Sequence, residues 1–348
     1  MGARTVDHAL RTDGSTSSRL ENSMTSFDRI TRRALVLALA TASTLAVAQS
    51  WPAKPIEWVV PYPAGGGTDI VARTLAQVMG EQLGQPIVIN NKPGAATNIG
   101  ADYTAKAKPD GYTLMSADTA TLAANPFLYS KLAYNVEKDF APLGLTVRFP
   151  LILVVNPSVP AKSYGEFVEW AKKQQGGASY GTPGSGSPHH LATALFGEQA
   201  KLQLTHIPYR GAAPAIQDVI GGQVPFMFID TASGSQFIAS GKVRAIGVAS
   251  ARRVAGFDSV PTLAEQGLKG FEAYAWQGLV MPAGVSADIV QKMNDTLLKA
   301  MATPTVKAKL DALGLEPIPS SPAAMAQYAA AERAKWGPVI KANNIKVD

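Results

Sequence analysis

The sequence predicts an α/β fold in two units, each built on a mixed, mostly parallel sheet. Three observations carry this. The 348 residues are long enough for two domains. Short apolar runs alternate with capped, amphipathic stretches, the order expected of strand–helix–strand units. An apolar run followed by a glycine-rich loop and a helix start also occurs twice, near residues 56–70 and 178–190.

Residues 56–60 read as a buried strand, broken by 61–67. Thr68 or Asp69 is placed to cap a helix carrying Ile70, Val71, Leu75, Val78, Met79 and Leu83 on its apolar side, and Gly84 stops it. Residues 87–89 form the next strand, 90–98 a loop and 100–106 a helix. The turn Pro109-Asp110-Gly111 leads to a third strand at 112–115. The second unit opens after Pro150 with a strand at 151–155 and a turn-rich connector at 156–160. Ser163 with Glu166 fits a capping box. Strands follow at 178–181, 203–207, 225–229 and 243–248, with helices at 188–200 and 212–220. From Pro282 the chain is Ala-rich and helical.

Composition narrows the chemistry. Apolar residues make up 46% and charged residues 17%, a globular balance. The absence of Cys removes disulfides, Cys-ligated zinc, thiol nucleophiles and iron–sulfur clusters. Four His argue against a His-rich metal site. Arg29, Arg32 and Arg33 precede an apolar run from Ala34 that ends Ala46-Val47-Ala48. A basic start, a short apolar core and small residues at the cut read as a secretory signal cleaved after Ala48, with Met24 as the expected start. Residues 1–48 hold six Arg and four Asp or Glu, so the formal charge of +6 falls to +4 without them. That mild positive field favours small anions and is too scattered for nucleic acid. No later apolar run is long enough to span a membrane, so the mature chain is expected to be exported and soluble.

The two glycine loops are the candidate site. Tyr62, Ala64, Gly65, Gly66, Thr68 and Asp69 lie in the first, between a strand and a helix. Consecutive glycines let backbone N–H groups approach a ligand, and the helix start adds unpaired donors and partial positive charge. Thr182, Ser185, Gly186, Ser187 and His190 repeat the design and add hydroxyls. Asp230 ends an apolar strand, where ligand groups lie in open α/β sheets, although a capping role fits it equally. Asp69 is balanced in the same way between ligand contact and helix capping. Arg210 is expected to pair with a protein carboxylate, and Trp276 to pack in a core.

Enzyme motifs fail. Gly65-Gly66-Gly67-Thr68-Asp69-Ile70 departs from the dinucleotide pattern at its last glycine, and the second strand meets Asn90 rather than an acid. No phosphate-binding P-loop is present. Gly177-Ala178-Ser179-Tyr180-Gly181 matches a nucleophile elbow but lacks the apolar strand before it, so Ser179 reads as a strand residue. We therefore expect no catalytic residue, no cofactor and no metal.

In order along the chain stand Val60-Pro61-Tyr62-Pro63-Ala64-Gly65-Gly66-Gly67-Thr68-Asp69, Asn91-Lys92-Pro93-Gly94-Ala95, Asn98-Ile99-Gly100 and Pro109-Asp110-Gly111-Tyr112-Thr113-Leu114. Asp139-Phe140-Ala141-Pro142, Gly184-Ser185-Gly186-Ser187, His190-Leu191, Pro208-Tyr209-Arg210-Gly211, Pro261-Thr262-Leu263-Ala264-Glu265-Gln266-Gly267 and Trp276 follow. This series resembles the substrate-binding proteins of tripartite tricarboxylate transporters, the Bug family. The resemblance implies a two-domain, Venus-flytrap-like periplasmic binding protein, crossed twice, near residues 148 and 275. It implies domain one from 51–148 and 275–348, and domain two from 149–274. It further implies a small carboxylate held by both glycine loops, Thr119 among the ligand-binding residues, a monomer, and delivery to an integral membrane permease. A sensor presenting the acid to a membrane receptor is the alternative. Three departures stand out: Ala95-Ala96-Thr97 replaces a more glycine-rich stretch, His189 precedes His190, and Ser116-Ala117-Asp118-Thr119 is unusual. A cleft-facing Asp118 would repel a second carboxylate, although a solvated Asp at a strand end is the default expectation.

Overall fold

The computed structural model describes residues 51–347; the leader expected over 1–48 lies outside the described residues. The first half of the chain builds β1 (Ile56–Val60), α1 (Gly67–Leu83), β2 (Ile87–Asn91), α2 (Asn98–Ala105) and β3 (Thr113–Asp118). β1 lies between β2 and β3 and is parallel to both. A π-turn at Ala120–Ala124 and α3 (Asn125–Leu128) follow. The helix α1 starts one residue before the expected caps: Gly66 is its N-cap, so neither Thr68 nor Asp69 caps it.

β4 (Phe140–Val155) then runs for 16 residues. The expected strand at 151–155 is only its second half; the strand itself begins at Phe140. The second half of the chain adds α4 (Tyr164–Lys172), β5 (Ala178–Thr182), α5 (Pro188–Ala200), β6 (Leu204–Pro208) and α6 (Ala212–Ile220). β7 (Phe226–Asp230), α7 (Thr231–Ala239) and β8 (Arg244–Val248) follow. The chain returns through β9 (Tyr274–Pro282) and ends in α8 (Ala287–Ala302), α9 (Pro304–Ala312), β10 (Glu316–Pro317) and α10 (Pro322–Ala342). At α4, Ser163 accepts from Glu166 N as expected, but the Glu166 carboxylate reaches Lys162 N rather than the cap residue.

The strand order is β2-β1-β3-β9-β4-β7-β5-β6, with β8 and β10 also on β4. β4 pairs antiparallel with β9 as far as Pro150, then with β7 from Leu151 onward. β5 is parallel to β6 and β7. One long strand is thus shared by the two parallel groups, and β9 begins beside the point of transfer, with Tyr274 opposite Pro150. This is a mixed α/β fold in two halves. Its parallel groups each present strand C-termini, at Val60 and Asp118 in one half and at Thr182 and Asp230 in the other.

Aromatic packing fixes the second half. Phe167 meets Phe226 edge-on at 4.9 Å, and Phe196 touches Phe228 and Phe271 at 5.5 and 5.9 Å. Trp276 is buried as expected, and its Nε1 donates to Glu332, which also accepts from Trp336 Nε1. No helix among the described residues is long and apolar enough to cross a membrane.

Candidate functional site

The first loop leaves β1 at Pro61 and enters α1 at Gly67. Its shape is set by Asp69, which is 2% exposed and spends both oxygens inside the protein. Oδ2 accepts from Gly65 N at 2.8 Å and Arg73 Nε at 2.9 Å; Oδ1 accepts from Asn91 Nδ2 at 2.9 Å. Asn91 Nδ2 also donates to Tyr62 O at 3.0 Å, tying the loop to the end of β2. Burial works against the Asp69 charge, but Arg73, the Gly65 N–H and Asn91 outweigh it and hold the carboxyl below its usual range. Ala64, Gly65 and Gly66 remain exposed. No side chain caps α1, so the N–H groups of its first turn have no side-chain acceptor. At Gly67 a Cβ would lie 2.9 Å from the Phe149 ring and 3.4 Å from the Ala232 Cβ. Only glycine lets the helix start approach the other half this closely.

Tyr62 turns its hydroxyl inward and donates it to Asp118 Oδ2 in a short hydrogen bond. Asp118 is buried, not solvated, which overturns the default expectation for it. Its Oδ1 accepts from Thr121 N at 2.9 Å and Thr121 Oγ1 at 2.8 Å. Burial pushes its carboxyl up against these donors, and burial beside the carboxylate pushes the Tyr62 phenol up as well. The network continues through Thr121 to Thr97 and then to Asn125, whose Nδ2 donates to Ala96 O at 2.7 Å. Ala95, Ala96 and Thr97 all hold left-handed backbone, at φ 46°, 47° and 78°. The departure seen in the sequence is therefore a strained turn, clamped by Asn125. Thr119, fully buried, accepts from Trp276 N at 3.1 Å and so joins β3 to β9.

The second loop follows β5. Thr182 Oγ1 lies 2.6 Å from His206 Nε2 and bonds Gly184 O at 3.1 Å. Gly186 N donates to His190 Nδ1 at 3.1 Å, which leaves the ring neutral with its proton on Nε2. Ser187 caps α5 by accepting from His190 N at 3.3 Å. His190 stacks on His206 at 3.7 Å, and burial pushes the two rings down to about 3 and about 4. At Gly186, with φ 74°, a Cβ would fall 2.3 Å from Leu128 Cδ1. The second loop thus presses on the first half, as α1 presses on the second.

Asp230 caps α7, accepting from Ser233 N at 2.9 Å, and its other oxygen lies 3.3 Å from His189 Nε2. Burial opposes its charge, but His189 and the Ser233 donors hold it below the usual range. Arg210 is exposed and has no carboxylate partner among the described residues. Its expected ion pair is absent because Tyr209, not Arg210, reaches the nearby acid: Tyr209 Oη donates to Asp218 at 2.6 Å. Ser179 sits within β5 opposite Thr205, rather than at a strand-to-helix turn.

The thirteen candidate residues divide into two kinds. Asp69, Thr119, Thr182, Ser187, His190 and Asp230 spend their side chains on the protein, as does the Tyr62 hydroxyl. Gly65 and Gly186 spend their N–H groups in the same way. The Thr68 and Ser185 hydroxyls make no hydrogen bond among the described residues, and Ala64 and Gly66 expose backbone. The free donors therefore come from both loops. Sequence reasoning missed the roles of Asn91 and Asn125 and the stacking of His206 on His190; of these, only Asn91 lay within a quoted motif.

The family model of the tripartite tricarboxylate transporter family receptor matches residues 71–345. The chain belongs to this receptor family. Three solved structures of similar proteins give the same architecture. The chain is 32% identical to R. palustris Rpa4515 with adipate, covering 85% of this chain and 100% of that one at a TM-score of 0.81. It is 34% identical to the periplasmic binding protein BugD, covering 85% and 100% at 0.78. It is 33% identical to MatC from Rhodopseudomonas palustris with bound malate, covering 83% and 100% at 0.77. Of these neighbours, BugD is a periplasmic binding protein, and Rpa4515 and MatC were solved with adipate and malate. Among the described residues no cluster of His, Cys, Asp or Glu is arranged for a metal ion.

Proposed function

We propose that this receptor captures a small organic acid between its two halves and hands it to a membrane permease. One observation carries the reading. The uncapped start of α1 and the Ser185–Gly186 loop each reach across to the opposite half, and together they offer unspent donors. A carboxylate suits such a site, because backbone N–H groups and hydroxyls hold its charge without a buried cation. Thr68, Ser185, Ala64 and Gly66 contact the acid directly. Tyr62, Gly65, Asp69, Thr119, Thr182, Gly186, Ser187, His190 and Asp230 shape the loops and hold bridging water. The adipate and malate found in neighbouring proteins support the ligand class.

The two domains, 51–148 with 275–348 and 149–274, close by bending where β4 and β9 run side by side at Pro150 and Tyr274. The receptor acts as an exported monomer, freed of its leader after Ala48, without catalysis. Thermal unfolding against organic acids, amino acids and nicotinamide nucleotides tests this. An acid at 100 times its Kd adds about 2.7 kcal/mol of stability. A shift with acids alone supports the reading; a shift with nucleotides alone contradicts it.

A further inference from the structure

Gln277 is fully buried, yet neither Nε2 nor Oε1 of its side chain has a hydrogen-bond partner among the described residues. An unpaired buried amide is costly, because each polar group loses its water and gains no partner. Its position gives that cost a purpose. On β9, Gln277 is the ladder partner of Asp118 on β3 and of Val147 on β4. Direct ladder partners share a face, so these three side chains stand on one side of the sheet. Phe149 shares that face through its partner Ala275, and its ring meets the first residue of α1. The amide therefore stands on the same sheet face as Phe149, whose ring meets the helix start, a diagonal step of about 7–8 Å away. Trp276 and Gly278 point to the opposite face, toward Tyr328 and Met325.

We propose that Gln277 reads the far end of the bound acid and selects a neutral hydroxyl or carboxamide there. The proposal rests on the carboxylate reading above. An amide offers a donor and an acceptor side by side. A hydroxyl satisfies both. A second carboxylate accepts from Nε2 but faces Oε1 and the neighbouring Asp118, whose own oxygens are already filled by Tyr62 and Thr121. A methyl terminus leaves both amide groups unpaired.

The test compares the full chain with Gln277→Leu by calorimetric titration. The probes are matched acids of four, five and six carbons: the unsubstituted acid, the ω-hydroxy acid and the dicarboxylate. The parent is expected to prefer an ω-hydroxy acid at least tenfold over both counterparts. Gln277→Leu is expected to reduce that preference below threefold and keep its affinity for the unsubstituted acid. The ligand-free variant should melt no lower than the parent, because the substitution removes an unpaired group. An unchanged preference, a parent preference for the dicarboxylate, or a variant that melts several degrees lower overturns the proposal. Binding of acids without discrimination overturns the Gln277 role alone. Silence with every acid in both proteins overturns the carboxylate reading and this proposal with it.

Discussion

The two glycine loops look alike in sequence and are held by opposite means. The first is pinned by charge: Asp69 gathers Gly65, Arg73 and Asn91 around a buried carboxylate, and the helix behind it stays uncapped. The second is pinned by neutral rings: His190 accepts from Gly186, His206 meets Thr182, and Ser187 caps its helix. A charged anchor set back from the glycines leaves the first loop's donors free for an anion. The second loop spends more of its own donors and contributes chiefly Ser185. Similar spacing therefore produces a set of free donors on one side and a shaped wall on the other.

The largest effect should come from breaking the charged anchor. Asp69→Ala strands the Gly65 N–H, Asn91 and part of Arg73, and should cost about 3 kcal/mol in denaturant unfolding. It should abolish acid binding too. A loss below about 1 kcal/mol would show that the loop holds its shape without the carboxylate.

Acid should separate the loops next. The folded state keeps His190 and His206 neutral to about 3 and about 4, against 6.5 when unfolded. The unfolded chain therefore binds more protons as pH falls below 6.5, and the stability these rings contribute is lost from there downward. The slope should approach about 1.4 kcal/mol per pH unit for each histidine between pH 6 and 5. Asp69, with its folded value held below 3.8, loses its contribution only as pH falls below that value. The second loop should weaken first, and His206→Asn should halve the slope measured by unfolding at pH 7, 6 and 5. An unaltered slope would remove the rings from the account.

The smallest effect concerns the buttress beside the first loop. Ala96 is left-handed and non-glycine, so Ala96→Gly should raise stability by about 0.5–1 kcal/mol. A decrease would show that the turn is not strained.

Local signals made much of this legible. Glycine loops after apolar runs, the Ser163 cap and the helix at Ala212–Ile220 all depend on neighbours in sequence. The long strand was not legible, because Pro142 and Pro150 interrupt its pattern and only β9 and β7 beside it keep it extended. Helix α7 was hidden by Gly234, a residue needed because a Cβ there would sit 2.7 Å from Ile229. The roles of Asp118 and Gln277 are tertiary: each depends on which strand lies alongside, and neither residue type announces burial.

The central claim is that one carboxylate spans both loops, and a paired substitution tests it most directly. Thr68→Val and Ser185→Ala each remove a hydroxyl that bonds nothing among the described residues, so the melting temperature without ligand should not move. Titration with the best-bound acid should show each variant weakened about ten- to hundredfold, the worth of one hydrogen bond to a charged group. Full affinity in either variant would mean that its loop does not hold the acid, and would contradict the account.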